Sequence, residues 1–495
     1  MSEQTRVRRQ KRELILTAGN EAYPAAVARN QTFTEIRAAY RDLPAGGHSG
    51  EAIETAGRVV SQRDIGGILF ATLHDGGAEL QVLLTQAGAG EIDGLAGWRQ
   101  LVDLGDIVAV RGEVVCTSRG ELTVASSHWE MAAKALRPLP AAHRPLSDEV
   151  RVRQRYVDLI VRPAARSAVT ARAAVLRSLR ESFHQRGYTE VETPSLHAVP
   201  GGANARPFVT RSNALDCDLY LRIAPELFLK RCVVGGVERV YEINRNFRNE
   251  GVDSSHSPEF SALEAYAAFA DYHDMAELTA SLVRSAVEAV AGGTVARHAD
   301  GREIDFGGQW PRITLYGAVS AALGEEVTPQ TAVAVLAAAA AKVGIPAIGE
   351  GKATQADAGR LVEEIFDVIV APKLERPTFV FDYPVATSPL TRAHRSAYGL
   401  AEKWDLYVGG MELATAYSEL TDPVVQRERF EAQARLRSRG DDEAMRLDED
   451  FLRAIEYGMP PTGGMGMGID RLLMAITGLG IRETILFPLL RPEQE

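Results

Sequence analysis

The most informative stretch of the chain reads Arg245-Asn246-Phe247-Arg248-Asn249-Glu250-Gly251 and is soon followed by Pro258-Glu259-Phe260. The residues before it alternate between apolar and polar side chains, which predicts a β-strand with one polar face. That face carries Glu242, Asn244, Asn246 and Arg248, and the returning segment carries Phe260, Ala262, Glu264 and Tyr266 on one face. An arginine beside an aromatic ring suits a ligand with a flat base and a phosphate, because a guanidinium stacks on rings and donates paired hydrogen bonds. A hairpin with solvated charges is the alternative explanation.

A second motif reads Gly464-Met465-Gly466-Met467-Gly468-Ile469-Asp470-Arg471 and precedes an apolar run at 472–476. Glycines at every second position let a backbone approach a flat ligand closely. Arg471 falls in the first turn of the helix that follows, where the helix dipole favours anions. The motif is not a P-loop, because no Gly-Lys-Ser/Thr follows, and Ile469 stands where a dinucleotide fingerprint needs its third glycine. A glycine run alone is also compatible with a structural role.

Two acidic residues, Asp405 and Glu412, flank a predicted turn at Gly409-Gly410. A two-residue hairpin loop pairs Tyr407 with Glu412, and the next pair is Asp405 with Ala414. Asp405 and Glu412 then lie diagonally on one face, within reach of a shared Mg²⁺, although two solvated surface acids are the other interpretation. Three further polar side chains follow: Thr415, Tyr417 and Glu419. Strict alternation puts them on the opposite face, and only a β-bulge that the sequence does not specify would bring all of them into one site.

Composition limits the class of protein. The chain has 495 residues, 45% of them hydrophobic and 24% charged, which is ordinary for two or more globular domains. No apolar run is long enough for a membrane span and the polar N-terminus is no secretory signal, so we expect a cytoplasmic protein without membrane contact. The three cysteines, Cys116, Cys217 and Cys232, lack disulfide or zinc spacing. The net charge of −11 alone argues against a nucleic-acid partner, yet residues 6–12 form a basic run that suits either a solvated helix or a phosphate contact.

The chain divides into three predicted segments. Residues 1–50 form a basic helical extension, and short apolar runs separated by turns predict an all-β barrel of about five strands at 51–146, of OB type or SH3-like. A proline-rich linker at 136–145 precedes a mixed α+β domain at 147–495. That domain begins with a helix over 164–186 and carries a helical insertion around 320–375, in which the alanine-rich stretch 332–341 predicts an ordinary amphipathic helix.

Three motifs in this order resemble the signature motifs of class II aminoacyl-tRNA synthetases. The helix ending at Gly187, with the strand through Pro194, resembles the first motif; residues 247–250 resemble the second and residues 464–471 the third. Residues 200–208, 224–231 and 485–492 further resemble lysyl-tRNA synthetases of subclass IIb, bacterial type, and differ from aspartyl and asparaginyl relatives. The resemblance implies an OB-type anticodon-binding barrel at 51–146. It also implies a catalytic domain at 147–495 whose antiparallel sheet is flanked by helices.

The same resemblance implies an activity and its partners. The expected reaction is ATP-dependent ligation of L-lysine to tRNA(Lys) through a lysyl-adenylate, by a homodimer. ATP would be a substrate, and about three Mg²⁺ ions would be bound in each active site. A buried carboxylate beside a phenol is what a primary ammonium group needs, whereas an aspartate site would need a cation there.

Residue roles follow from the resemblance position by position. Arg248, which with Arg471 is expected to be catalytic, would hold the substrate carboxylate and the α-phosphate. Phe260 and Arg471 would enclose adenine. At the nucleotide, the resemblance further implies Glu250 at the adenine amino group, His256 at the γ-phosphate, Asp405 and Glu412 at Mg²⁺, and Glu412 also at ATP. At the amino acid, it implies Gly202, Glu226 and Glu264 at the lysine α-amino group, Tyr266 and Glu419 at the ε-ammonium, and Tyr417 and Thr415 beside the lysine. In the barrel, it implies Phe70, Gln81 and Glu121 at the anticodon.

Four positions depart from the family pattern: Thr415 for Asn, Tyr417 for Phe, Asp405 for Glu, and Gly67 for Lys. Three other functions remain open, namely a synthetase for another amino acid, a paralogue that lysylates protein, and a binding protein with a dead catalytic domain. The acids Glu226, Glu264 and Glu419 argue against the first. The predicted barrel argues against the second, and the retained Arg248 and Arg471 argue against the third.

Overall fold

The computed structural model describes residues 2–86, 94–140, 146–251, 253, 256–345, 355–438 and 440–491, with the side chains of 355 and 356 left out. Residues 141–145 of the predicted linker lie outside this range. The chain divides into two compact units, Met1–Arg166 and Ser167–Glu495. The helices at 148–161 belong to the first unit. The sequence predicts that the catalytic domain begins at 147, and these domain limits stay a prediction.

The first unit is built around a closed β-barrel. Its described elements are α1 (Glu3–Thr17), α2 (Phe33–Ala39), β1 (His48–Asp64), β2 (Ile68–His74), β3 (Glu79–Thr85), α3 (Leu95–Leu101), β4 (Ile107–Cys116), β5 (Leu122–Ala133), α4 (Asp148–Arg153) and α5 (Arg155–Val161). Five strands close in the order β1-β2-β3-β5-β4, with β3 and β5 parallel and the other pairs antiparallel. The prediction of a small five-stranded barrel is therefore confirmed.

Alternation along the barrel strands separates an apolar interior from a polar outer face. In β2 the side chains of Leu69, Ala71 and Leu73 are buried, so Phe70 between them points outward. In β3 Leu80 and Val82 are buried on either side of the outward-facing Gln81.

A buried lysine holds several barrel elements together. Lys134 donates through Nζ to Leu101 O at 2.7 Å, to Asp103 Oδ2 at 2.6 Å and to Asp106 Oδ2 at 2.7 Å. Lys11 on α1 donates to the other Asp103 oxygen at 2.7 Å, and Arg8 donates to backbone carbonyls of the barrel. Part of the basic N-terminal run is therefore used to attach α1 to the barrel.

We expect Lys134→Met to lower the free energy of unfolding of the barrel by about 3 to 5 kcal/mol, because Asp106 would stay buried without its cation. Hydrogen–deuterium exchange in β4 and β5 of the full chain measures this loss. Lys11→Met is the matched control, because its partly exposed pair contributes about 1 kcal/mol or less. Equal protection losses in the two variants would contradict the prediction.

The second unit contains the larger sheet. Its described elements are α6 (Pro163–Gln185, which begins in the first unit), β6 (Thr189–Glu190), β7 (Leu196–His197), β8 (Val209–Ser212), β9 (Cys217–Leu221), α7 (Glu226–Val234), β10 (Arg239–Phe247), β11 (Glu259–Ala268), α8 (Tyr272–Ala291), β12 (Val295–Arg297), β13 (Glu303–Asp305), β14 (Arg312–Thr314), α9 (Leu315–Leu323), α10 (Val333–Lys342), α11 (Gln355–Ile369), β15 (Thr378–Pro384), β16 (Leu400–Val408), β17 (Met411–Ser418), α12 (Pro423–Ser438), α13 (Glu449–Glu456), β18 (Thr462–Gly468), α14 (Ile469–Thr477) and α15 (Ile481–Thr484), with 3₁₀ turns at Ala371–Lys373 and Val385–Thr387. The predicted helix at 164–186, the alanine-rich helix and a group of helices near 320–375 are all present, although 346–354 lie outside the described residues.

The central sheet has two chemically different faces. In the described part of the chain its order is β14-β15-β16-β17-β18-β11-β10-β6, antiparallel except for the pairs β14–β15 and β6–β10. Leu263 and Ala265 of β11, Met465 of β18 and Trp404 of β16 point into the apolar core, against which α8 and α14 pack. The residues between them on each strand therefore face the opposite side, where a ligand site can form.

Candidate active site

The two strands around the first motif pair as the alternation predicts. Asn246 lies opposite Phe260, Asn244 opposite Ala262, and Glu242 opposite Glu264, so the two polar rows share one face. Arg222 donates to Glu242 at 2.6 Å, whereas Asn246 reaches a cavity farther along the strand. The sequence prediction of a joint polar face is confirmed.

The alternate glycines of β18 form the floor of this face. Gly464 lies opposite Tyr266 on one side and Tyr417 on the other, and Gly466 lies between Glu264 and Thr415. A Cβ atom at Gly464 would overlap Glu419 Oε1 and the Tyr266 ring. Glycine is therefore required at position 464 for the acid and the phenol to approach the sheet.

A β-bulge corrects the predicted register of the β16–β17 hairpin. Tyr407 pairs with Glu412 as predicted, but Ala414 pairs with Leu406 and not with Asp405, so that prediction was wrong. The extra residue is Leu413, and Leu413 and Ala414 are both buried in succession. The bulge reverses the alternation beyond it, which places Glu412 on the same face as Thr415 and Tyr417.

These strands enclose a cavity of about 530 Å³. The predicted residues that line it are Gly202, Glu226, Arg248, Glu250, His256, Phe260, Glu264, Tyr266, Asp405, Glu412, Thr415, Tyr417 and Arg471. Glu419 lies directly behind the residues that line the cavity and is almost fully buried. Every predicted site residue of the second unit therefore lies at this cavity, although the residues come from distant parts of the chain.

One end of the cavity combines cations with an aromatic ring. The Arg248 guanidinium lies over the Phe260 ring, 5.1 Å from its centroid. Arg471 donates to Glu412 O at 2.7 Å, and another of its nitrogens lies 3.4 Å from His256 Nε2. Among the described residues, the cation that contacts the Phe260 ring is therefore Arg248. The enclosure of adenine between Phe260 and Arg471 stays a prediction.

The opposite end contains buried acids. Glu226, Glu264 and Glu419 are all buried, and the Tyr266 hydroxyl donates to Glu264 Oε2 at 3.1 Å. Lys230, which lies one helical turn after Glu226, is fully buried with its Nζ 2.7 Å from Glu226 Oε1 and 2.5 Å from Glu419 Oε2.

Burial disfavours the charged form of these acids. Together with the nearby Glu226 carboxylate it raises the pKa of Glu264 to about 8, against the opposing effects of the Tyr266 hydroxyl and Arg248. Burial likewise raises the pKa of Glu419 to about 8, although Lys230 acts in the opposite direction. The protein groups by themselves therefore favour protonated Glu264 and Glu419 at neutral pH.

A second lysine, Lys403, lies near the predicted metal ligands. Its Nζ is 3.1 Å from Asp405 Oδ2 and 4.1 Å from the Tyr383 ring centroid. The other oxygen, Asp405 Oδ1, is buried and receives no well-aligned hydrogen bond from the described residues, although the Tyr383 hydroxyl lies close by. One carboxylate oxygen of Asp405 is thus open to a further cation.

The three predicted anticodon residues lie together on the outside of the barrel. Gln81 is opposite Thr123 of β5 and donates to its hydroxyl at 2.9 Å. Phe70 is partly exposed with the Arg63 guanidinium 5.6 Å from its ring centroid, and Glu121 receives a hydrogen bond from Arg37 at 3.3 Å. An exposed ring beside hydrogen-bonding side chains suits single-stranded bases.

Comparison with known proteins identifies the family. A family model described as tRNA synthetases class II (D, K and N) matches residues 147–491, and one described as OB-fold nucleic acid binding domain matches residues 53–132. A lysine–tRNA ligase of Kineococcus radiotolerans is 59% identical, and one of Mycolicibacterium gilvum 55%, each over 99% of this chain and 97% of the relative. A lysylphosphatidylglycerol biosynthesis bifunctional protein LysX of Nocardia farcinica is 48% identical over 99% of this chain and 43% of its own length.

The chain belongs to the lysine–tRNA ligase family of class II synthetases. Membership implies use of ATP and confirms the predicted combination of an OB-fold domain with a class II catalytic domain. Among the described residues, no helix is both long and apolar enough to cross a membrane.

The sequence argument missed two lysines of the site, the fully buried Lys230 and the partly buried Lys403. Lys230 follows Glu226 by one helical turn, a spacing that places both on one helix face, and this signal was available. Lys403 precedes Asp405 by two residues and so shares its face of β16, which alternation alone predicts.

We expect Gly466→Ala to raise the KM for lysine or ATP by about tenfold or more while leaving the fold intact. The new methyl group would lie 3.7 Å from Glu264 Cγ and 3.9 Å from Thr415 Cγ2, which are ordinary contacts, but it would occupy ligand space. ATP–pyrophosphate exchange and the Tm measure the two effects. Gly67→Ala is the control, since a Cβ there meets nothing within 4 Å in the described barrel. Unchanged KM values in the Gly466→Ala protein would refute this use of the glycine.

Proposed function

We propose that this protein joins L-lysine to tRNA(Lys) in two steps, through a lysyl-adenylate made from ATP, as a homodimer in the cytoplasm. The observation that carries the proposal is the set of buried carboxylates at one end of the cavity, Glu226, Glu264 and Glu419, beside the Tyr266 phenol. A substrate with two ammonium groups satisfies these acids, whereas one with a side-chain carboxylate would be repelled. The two relatives named lysine–tRNA ligases, which match over almost their whole length, support the same substrate.

In the first step a carboxylate oxygen of lysine attacks the α-phosphorus of ATP. A new P–O bond forms, and the bond from that phosphorus to the bridging oxygen breaks to release pyrophosphate. The nucleophile is already an anion, so the protein needs no general base and contributes position and charge. Arg248 reaches the cavity from the end of β10 and would neutralise both the attacking carboxylate and the α-phosphate.

The remaining nucleotide contacts come from residues at the same end. The adenine would lie between Phe260 and Arg471, with Glu250 accepting a hydrogen bond from its amino group. His256, which is close to Arg471, would contact the γ-phosphate. Because His256 and Arg471 are neighbours, the γ-phosphate and the adenine would lie close to each other, and the α-phosphate would stay open to the lysine carboxylate.

Asp405 and Glu412 are suited to hold Mg²⁺. Asp405 Oδ1 is buried without a well-aligned donor, both side chains offer hard oxygen ligands, and the bulge places them on one face. No group of three or more His, Cys, Asp or Glu side chains that could hold a metal ion occurs among the described residues. Bound Mg²⁺ would neutralise charge on the phosphates.

In the second step a ribose hydroxyl at the tRNA 3′ end attacks the lysyl carbonyl carbon, and AMP leaves. The pocket acids and Tyr266 would hold the lysyl group while the acceptor enters. Phe70, Gln81 and Glu121 on the outer face of the barrel would bind the anticodon by stacking and hydrogen bonding. Support for a homodimer comes from α6 and β6, which occupy the positions of the first signature motif.

The decisive experiment is ATP–pyrophosphate exchange with each of the twenty amino acids, followed by transfer to tRNA(Lys). We expect exchange with lysine alone and lysyl transfer to that tRNA. Exchange with another amino acid would overturn the lysine assignment, and exchange without transfer to tRNA would overturn the acceptor. In the same assay Arg248→Ala should lose about a hundredfold or more in kcat/KM, because transition-state charge would lack its cation. A rate near that of the wild type would refute the role of Arg248.

A separate prediction concerns the barrel. Phe70→Ala should raise the KM for tRNA by about tenfold or more, because a stacked base contributes about 1 to 3 kcal/mol. Pyrophosphate exchange, which needs no tRNA, should be unchanged. Ile65→Ala, which removes an exposed apolar side chain at the turn before β2, is the control and should leave the KM for tRNA near its wild-type value. Equal effects of the two substitutions would contradict a stacking role for Phe70.

A further inference from the structure

Lys230 is a cation built into the amino-acid end of the cavity. It lies on α7, has no exposed surface, and contacts Glu226 Oε1 at 2.7 Å and Glu419 Oε2 at 2.5 Å. Both acids are positions that the proposed function assigns to lysine binding. The ammonium group therefore bridges two substrate-binding carboxylates from a position that the substrate does not occupy.

The bridge fixes Glu419 with one oxygen directed away from Lys230. Neither Glu419 oxygen receives a well-aligned hydrogen bond from the described residues: Oε2 lies 2.5 Å from Lys230 Nζ, and the other oxygen is Oε1. It lies above Gly464, where a Cβ atom would overlap it, and beside the Tyr266 ring. A buried acceptor of this kind is costly unless a ligand donor reaches it, so Glu419 is held ready for an ammonium group.

The formal charges at the amino-acid end of the cavity also fit a ligand that carries ammonium groups. When the carboxyl groups of Glu226, Glu264 and Glu419 are all ionised, they exceed the one ammonium group of Lys230 by a formal two negative charges. Lysine as substrate brings two ammonium groups, and Arg248 would balance its carboxylate. Without Lys230 the excess would be three negative charges, one more than the two ammonium groups of lysine could balance.

We propose that Lys230 is a positioning and specificity-determining residue, which anchors Glu419 and sets the pocket charge so that an amino acid with two ammonium groups balances it. This inference rests on the proposed function and adds a residue to it. Lys230 acts through the two carboxylates and does not itself contact the substrate.

Proton linkage follows from this arrangement. Burial alone would lower the pKa of Lys230, but Glu226 and Glu419 hold it above its usual value, so the lysine stays charged. Burial raises the pKa of Glu264 and that of Glu419 each to about 8; Glu226, Tyr266, Arg248 and Glu242 surround the first, and Lys230 and Glu226 the second. Below that pH these acids hold protons, and two arriving ammonium groups would displace them.

The test compares Lys230→Met with the wild type in pyrophosphate exchange, using lysine and norleucine, its analogue without the ε-amino group. We expect the KM for lysine to rise about tenfold or more with a smaller change in kcat, because truncating one partner of a buried charge pair leaves the other misplaced. The preference for lysine over norleucine in kcat/KM should fall by about tenfold or more. Lys11→Met, which removes a lysine whose ion pair is only partly buried and lies in the first unit, is the control and should leave both values unchanged.

The outcomes of this comparison distinguish failure of the proposed function from failure of the role inferred for Lys230. If the wild type does not use lysine, the proposed function fails and the inference fails with it. If the wild type uses lysine and folded Lys230→Met keeps its KM and its norleucine discrimination, the inference alone is overturned.

Calorimetry of lysine binding to the wild type, in buffers of different ionisation enthalpy near pH 7, tests the charge balance without any variant. We expect release of about one proton or more per site. Binding without proton release would overturn the charge-balancing role, whether or not the Lys230→Met protein folds.

Discussion

Register across the central sheet is the constraint on which the rest of the site depends. Side chains on a strand alternate between faces, so a shift by one residue would send every ligand-binding group into the apolar core. From β10 to β18 the register is regular, and Asn246, Phe260, Glu264 and Gly466 all fall on the same face. The next hairpin needs a correction, and the bulge at Leu413 supplies it. Without that extra residue Glu412 and Tyr417 could not both reach the cavity.

The same face concentrates charges that a protein interior disfavours. The sheet tolerates Glu242 because Arg222 pairs with it, and Asp470 because Arg172 and a backbone amide bind it. The acids at the amino-acid end have fewer partners, since Lys230 is shared and Glu419 Oε1 has none among the described residues. Stability is therefore lower there than a fully paired arrangement would give, and the unsatisfied groups are those that the proposed ligand would satisfy.

Much of this architecture could be predicted from the sequence because period-two alternation and turn residues are local signals. The barrel strands, the helix that ends at Gly187 and the joint polar face of β10 and β11 follow from such signals. The bulge did not, because no residue at 411–415 marks it, and its position depends on packing of Leu413 against the rest of the sheet. For Lys230 and Lys403 the spacing predicts the face that each lysine shares with its acid, but whether a lysine is a solvated surface group or a counter-ion inside the site depends on tertiary packing.

The departure at Thr415 also becomes interpretable through contacts. Thr415 lines the cavity, and its hydroxyl donates to the Trp404 carbonyl at 3.4 Å across the strand pair. Lys403, opposite Tyr417 on the neighbouring strand, supplies a cation to the same face. It stands 3.1 Å from Asp405, whose shorter side chain leaves room for that contact. Thr415 lies opposite Asp405 and Tyr417 lies opposite Lys403, so the departures at 405, 415 and 417 stand side by side on two adjacent strands, next to one cation.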